Sequence, residues 1–138
     1  MSIRILGPLA AAVLFLAPSA WAQGAGSAKE PVADGRTLSE WVAELKSVAP
    51  QTRNAAAYEI SGMGPAAAAA VPALIEALDD PEATVRFPVT VALGEIGPAA
   101  KAAVPKLKQM MEEEINDEIA AGAKRALRRI QPEAVRTE

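Results

Sequence analysis

The chain has 138 residues and a formal net charge of −3, with no cysteine and no histidine. Their absence removes Ser-His and Cys-His nucleophilic pairs, nearly all transition-metal sites and every disulfide, so stability must come from packing. An acidic chain with only 4% aromatic residues also lacks the basic footprint and stacking platforms of a nucleic-acid binder, so no nucleic acid is expected as partner.

Residues 1–22 read as a signal peptide. Arg4 precedes an apolar run from Ile5 to Ala17, Pro18 and Ser19 break the helix, and Ala20-Trp21-Ala22 offers small residues for cleavage after Ala22. The apolar core is short for an uncleaved anchor, and no membrane span is expected after cleavage. The mature chain would start at Gln23 with net charge −4, because Arg4 is the only charge lost, and would be periplasmic or secreted. No cysteine follows the cleavage point, which excludes lipid attachment there. Residues 23–36, QGAGSAKEPVADGR, show no sustained apolar period and read as a flexible linker.

Ordered structure is expected over residues 37–132, followed by a tail at 133–138. Thr37 with Glu40 three residues on is a capping box, and Leu38, Trp41, Val42 and Leu45 then recur at helical spacing. Further helices are expected from about Pro50 to Ser61, up to about Leu78, from about Pro81 to Glu95, up to about Glu113, and from about Asp117 to Ile130. Gly64 and Gly97 are placed to close helices in the αL conformation, with Pro65 and Pro98 preventing continuation. Pro72 and Pro105 sit where a helix can restart, and Asp80 is placed as an N-cap. Pro88, inside its helix, removes one backbone hydrogen bond and predicts a kink.

These elements repeat. RNAAAYEISGMGPAAAAAVPALIEAL from Arg53 returns from Arg86 as RFPVTVALGEIGPAAKAAVPKLKQMM, a separation of 33 residues. Trp41, Val42 and Leu45 lie 33 before Leu74, Ile75 and Leu78, while Leu127, Ile130 and Pro132 match Leu93, Ile96 and Pro98 at a separation of 34. A fixed period of this size marks stacked units that bury their apolar faces only against neighbours. The expected fold is all-α, two helix pairs flanked by half units, six helices or fewer.

The run LDDPEATVRFPVTVALGEIGPAAKAAVPKL resembles the HEAT repeat family, in the short bacterial form grouped with bilin-lyase (PBS lyase-type) HEAT-like repeats, and the resemblance covers about Thr37 to Pro132. It implies a right-handed α-solenoid of the armadillo type, with the second helix of each pair on the concave face. Asp80 and Arg86 match the family's acid and arginine pair, Arg53 being the counterpart of Arg86, and this implies a structural ladder between neighbouring units. Ser47 stands where the first unit's acid would be and Ala120 where the third unit's arginine would be, so interlocking should weaken at both ends.

Candidate chemistry is sparse. GMGP and GEIGP carry glycines, but each follows a helix and is stopped by proline, unlike a phosphate loop leading out of a strand. Glu112, Glu113, Glu114, Asp117 and Glu118 cluster without the alternation around glycine that a calcium loop needs; they close one helix and open the next. Lys124, Arg125, Arg128 and Arg129 form a basic face that suits the polar outer surface of a terminal helix. No cofactor is expected. Trp41 takes the place of Leu74 and Leu107, which points to the core.

The repeats disagree at one informative place. Lys108 stands where its siblings have Val42 and Ile75, and Lys106 where they have Glu40 and Ala73. Glu40, Glu76, Lys106, Lys108 and Gln109 are therefore the candidate partner-binding surface, acidic toward the N-terminus and basic toward the C-terminus. The function expected is a non-enzymatic scaffold for an unknown protein or peptide partner, working outside the cytoplasm. The alternative is an accessory subunit of an extracytoplasmic enzyme or transport assembly, handling a cofactor by fold-level analogy with bilin-lyase relatives. Self-association through the array ends is expected of so few units.

Overall fold

A computed structural model describes residues 29–136. The leader read over residues 1–22 lies outside the described residues. The chain opens with a small antiparallel hairpin, β1 (Val32–Ala33) and β2 (Arg36–Thr37), with Val32 opposite Thr37 and Ala33 opposite Arg36. Asp34 and Gly35, with φ of 46° and 74°, make the turn whose two left-handed residues match the twist of the strands. The stretch expected as linker is thus folded from about Pro31 onward. Two-residue strands carry too little alternation to register as a pattern, and Asp-Gly was the signal passed over.

Among the described residues six α-helices follow: α1 (Leu38–Glu44), α2 (Pro50–Met63), α3 (Val71–Ala77), α4 (Ala83–Ile96), α5 (Val104–Glu113) and α6 (Asp117–Ile130). α1 starts on the expected capping box. The Thr37 N–H donates to Glu40 Oε2 at 2.7 Å, and the Thr37 hydroxyl accepts from the Glu40 N–H. The Thr37 N–H and the Thr37 hydroxyl, both donating to Glu40 Oε2, together with Arg36 nearby hold the exposed Glu40 carboxyl below its ordinary pKa.

Between the two helices of each full unit the chain runs through a 3₁₀ segment, Gly64–Ala70 and Gly97–Ala103, bent at Ala67 and Ala100. Gly64 and Gly97 have positive φ, 56° and 77°, but ψ of −136° and −141°. That corrects the αL assignment: the glycines occupy the extended mirror-image region, which is nearly closed to any residue with a Cβ. Pro65 and Pro98 open the 3₁₀ turns at positions where a missing N–H costs nothing. The span Pro50–Ala77 is long and apolar enough to cross a membrane by length and composition, yet it bends at Gly64 and Ala67.

Asp80 is not the N-cap of α4. Glu82 takes that position, and the Asp80 carboxylate accepts from the Glu82 N–H at 2.9 Å. α4 runs unbroken through Pro88. Pro88 cannot donate to the Thr84 carbonyl one turn back, and the Asn54 side-chain amide of α2 donates to that carbonyl instead. The bond lies at an exposed position, so it contributes about 0.5–1.5 kcal/mol in place of the helical bond that the proline removes.

The helices pack in two layers. α2, α4 and α6 lie side by side in close contact; α1, α3 and α5 pack on them and touch one another less, chiefly through the 3₁₀ segments. One apolar core runs through the stack, with Ile60, Leu74, Val85, Val89, Leu93, Leu107, Ile119 and Leu127 inaccessible or nearly so. Small residues let the first layer close up. A Cβ on Gly94 would stand 3.2 Å from Ala126 Cα, and one on Gly122 only 2.7 Å from Thr90 Oγ1.

Both ends of the stack are covered. At the first, the Trp41 ring is buried beneath the hairpin, its indole N–H donates to the Ala33 carbonyl at 2.9 Å, and the Arg36 guanidinium lies 4.9 Å from the ring centroid. At the other, α6 buries Ile119, Gly122, Ala123, Ala126, Leu127 and Ile130 and turns its charged residues outward. The stretch expected as a tail begins in a 3₁₀ turn, Pro132–Val135, whose Val135 packs on the core.

Candidate interaction surface

The arginines of the repeat build the joints between units. Arg53 Nε and Nη2 donate to the two Asp80 carboxylate oxygens at 2.6 and 3.0 Å, while Arg53 Nη1 donates to the Ser47 carbonyl at 2.9 Å. Arg86 repeats the arrangement one unit on, with Nε and Nη2 donating to Glu114 at 2.9 and 3.0 Å and Nη1 to the Asp80 carbonyl at 2.9 Å. Each guanidinium thus grips the loop before its own helix and the acid of the following unit, using the fork geometry that lysine lacks.

Asp80 and Arg86 therefore do not pair side chain to side chain. Asp80 belongs to the rung of Arg53, and the acid of Arg86 is Glu114. Glu114 was missed as a rung because a separation of 33 from Asp80 leads to Glu113; the third unit is displaced by one residue, and the separation of 34 already seen for Leu127 and Ile130 leads to Glu114. Ser47 and Ala120 carry no rung, so the ladder has two.

The rungs are partly buried, Arg53 and Asp80 keeping 13% and 7% of their side-chain surface. Burial raises the Asp80 pKa, but the bonds from Arg53 and the Glu82 N–H and the charges of Arg53 and Arg86 outweigh it and leave the carboxyl lowered. The bond from Arg86 lowers Glu114 against a smaller burial effect, with help from the Asn116 N–H. Bonding to Asp80 likewise raises Arg53.

A carboxylate depressed in the folded state contributes stability that is complete above its unfolded pKa of about 4 and is lost as pH falls through the folded value. With no histidine, stability should be flat from about pH 5 to 8 and decline below about pH 4. Asp80→Asn should lower that plateau and shrink the decline, as read from urea midpoints at neutral and acid pH. An acid-side decline identical to that of the unaltered protein would show that the rung contributes nothing.

The five residues singled out by repeat comparison all lie on the α1, α3 and α5 layer. Glu40 is occupied by the capping box. Glu76 is exposed and pairs with Lys46 at 3.6 Å; Lys106 is half-buried and pairs with Asp79 at 2.6 Å. Lys108 is exposed, whereas its siblings Val42 and Ile75 are half-buried against the core. Gln109 is exposed and donates to Glu113 at 2.8 Å.

Because the helices of this layer stand apart, clefts open between them. One of about 370 Å³ lies between α3 and α5, lined by Asp79, Lys106, Gln109, Met110 and the rung residues. Another of about 190 Å³ lies between α1 and α3, lined by Leu45, Lys46, Ala73, Glu76 and Asp79. Lys106, Gln109 and Glu76 line these clefts; Lys108 and Glu40 do not. Asp79 and Lys46, which sequence reasoning passed over, complete the row: two central acids with a lysine on either side. Their partners sit on different units, and a repeat alignment does not show which side chains face each other across a joint.

Comparison with curated proteins finds no match. The family described as HEAT repeats matches residues 38–128, the span of all six helices up to the last turn of α6. With helix pairs stacked in two layers and joined by repeated arginine and acid rungs, this short all-α solenoid belongs to the HEAT repeat family.

Proposed function

We propose that the chain is a non-enzymatic scaffold outside the cytoplasm that docks a protein or peptide segment across the α1, α3 and α5 layer. HEAT repeats in general mediate protein interaction, and the location outside the cytoplasm rests on the leader pattern of residues 1–22. The observation that carries the docking face is the row of clefts between α1, α3 and α5, where two central acids, Glu76 and Asp79, are flanked by Lys46 on one side and Lys106 on the other, beside the one helix whose copy departs from its siblings. Lys46 and Glu76 form an exposed pair, worth about 1 kcal/mol or less, and in the pair of half-buried Lys106 the Asp79 side is exposed. An incoming segment with its own charge pattern can therefore replace them.

The clefts are open, with mixed polar and apolar linings, which suits an extended segment better than an enclosed small molecule. Reversing charge with Lys106→Glu and Lys108→Glu should reduce partner capture from the exported fraction about tenfold or more, with the circular dichroism melt kept within a few degrees of the unaltered protein. Capture at full yield by the folded double variant would reject this face.

A further inference from the structure

We propose that two copies of the chain associate through antiparallel pairing of α6 about a twofold axis beside Ala121. The charges of α6 are antisymmetric about that residue. Glu118 and Lys124 lie three residues to either side, and Asp117 and Arg125 lie four to either side. Reversing a second α6 across Ala121 sets each acid of one copy opposite a cation of the other, twice over, and an isologous contact must be self-complementary in this way.

The placement of these side chains agrees. All four, together with Ala121 and Arg128, are exposed. At 3.6 residues per turn they fall within one face of about 120°, with Ala121 near its middle. A small residue at the axis lets two helices approach to about 8 Å.

Within one chain these charges have little to do. Residues three and four beyond Asp117 and Glu118 are Ala120, Ala121 and Gly122, so no intrahelical pair forms. Among the described residues Arg129 pairs with Glu95, but Lys124, Arg125, Asp117 and Glu118 have no salt-bridge partner. The helix dipole accounts for acids in the first turn and Arg128 and Arg129 in the last. It does not account for Lys124 and Arg125 in the middle.

An apolar contact falls at the margin. Ile115, 96% exposed, lies six residues before Ala121, so in the pair it comes level with Leu127 of the second copy. There a groove of about 390 Å³ opens between α4 and α6, lined by Val91, Gly94 and Ala126 with Arg125 and Arg129 beside them. An anionic membrane is the poorer occupant, because no large apolar side chain is interleaved with the cations on this face. A nucleic acid is poorer still, since Asp117 and Glu118 would repel its phosphates.

Sedimentation velocity on the purified protein at about 100 μM should show a dimer in about 20 mM salt and a monomer in about 500 mM, because exposed pairs are screened. Lys124→Glu with Arg125→Glu should be monomeric at both, as should Asp117→Lys with Glu118→Lys. An equimolar mixture of the two variants should restore the dimer. Circular dichroism melts establish that each variant is folded. A monomer at low salt, a dimer that survives either double variant, or two folded variants that fail to associate with each other would each overturn the proposal. So would an unaltered chain that stays monomeric while binding a poly-glutamate peptide, which would assign the face to another protein.

Discussion

Trp41→Ala should lower the unfolding free energy by about 3–5 kcal/mol and free the hairpin from the end of the stack. The ring is buried among Leu38, Leu45 and the hairpin, and it holds three things at once. Its body fills the end of the core, its N–H satisfies the Ala33 carbonyl, and its face receives Arg36. Trp41→Phe separates these contributions by keeping most of the body and losing the donor, and it should cost about 1 kcal/mol. Hydrogen exchange distinguishes the variants: in Trp41→Ala the cross-strand amides of the Val32–Thr37 hairpin should lose protection before those of α2. Hairpin protection in Trp41→Ala equal to that of the unaltered protein would show that the hairpin holds without the indole.

Gly122→Ala should destabilise the protein by about 1–3 kcal/mol, although alanine in a helix interior ordinarily gains about 1 kcal/mol over glycine. The sign reverses because the new methyl would stand 2.7 Å from Thr90 Oγ1, on a fully buried side chain. Thr90 cannot simply turn away, since its hydroxyl donates to the Phe87 carbonyl at 2.7 Å. Either α4 and α6 separate or a buried hydroxyl loses its acceptor. Thr90→Ala removes the obstructing atoms, so the double variant should be more stable than the sum of the single effects, a coupling of about 1 kcal/mol or more by a thermal or urea double-mutant cycle. Gly62→Ala in α2 is the comparison: a Cβ there meets nothing within 4 Å, so the ordinary gain should appear. Additive single effects at Gly122 and Thr90 would remove the steric account.

The repeat made most of the architecture legible before any coordinates. The boundaries of α6, the capping box at Thr37 and the alternation of helices follow from local rules that each residue obeys by itself. What stayed hidden depends on three-dimensional neighbours. Asp34-Gly35 specified a turn, but its strands are stabilised by Trp41 rather than by their own pattern. Glu114 lay one residue beyond the expected register; the separation of 34 signalled an extra residue, and its contact with Arg86 shows that the extra residue precedes the rung. On the candidate surface, exposure of Lys108 followed from comparing copies, while the pairing of Lys106 with Asp79 required knowing which units face each other.

The bond from Asn54 to the Thr84 carbonyl limits how far this chain is modular. The positions matching Asn54 in the next two units are Phe87 and Ala121, neither of which has a donor, and only the middle unit has a proline at the place of Pro88. Donor and acceptor are thus unique to one joint. Placing any other unit before Pro88 would leave that exposed carbonyl to water alone. The copies are alike in sequence, yet at this joint they are not interchangeable.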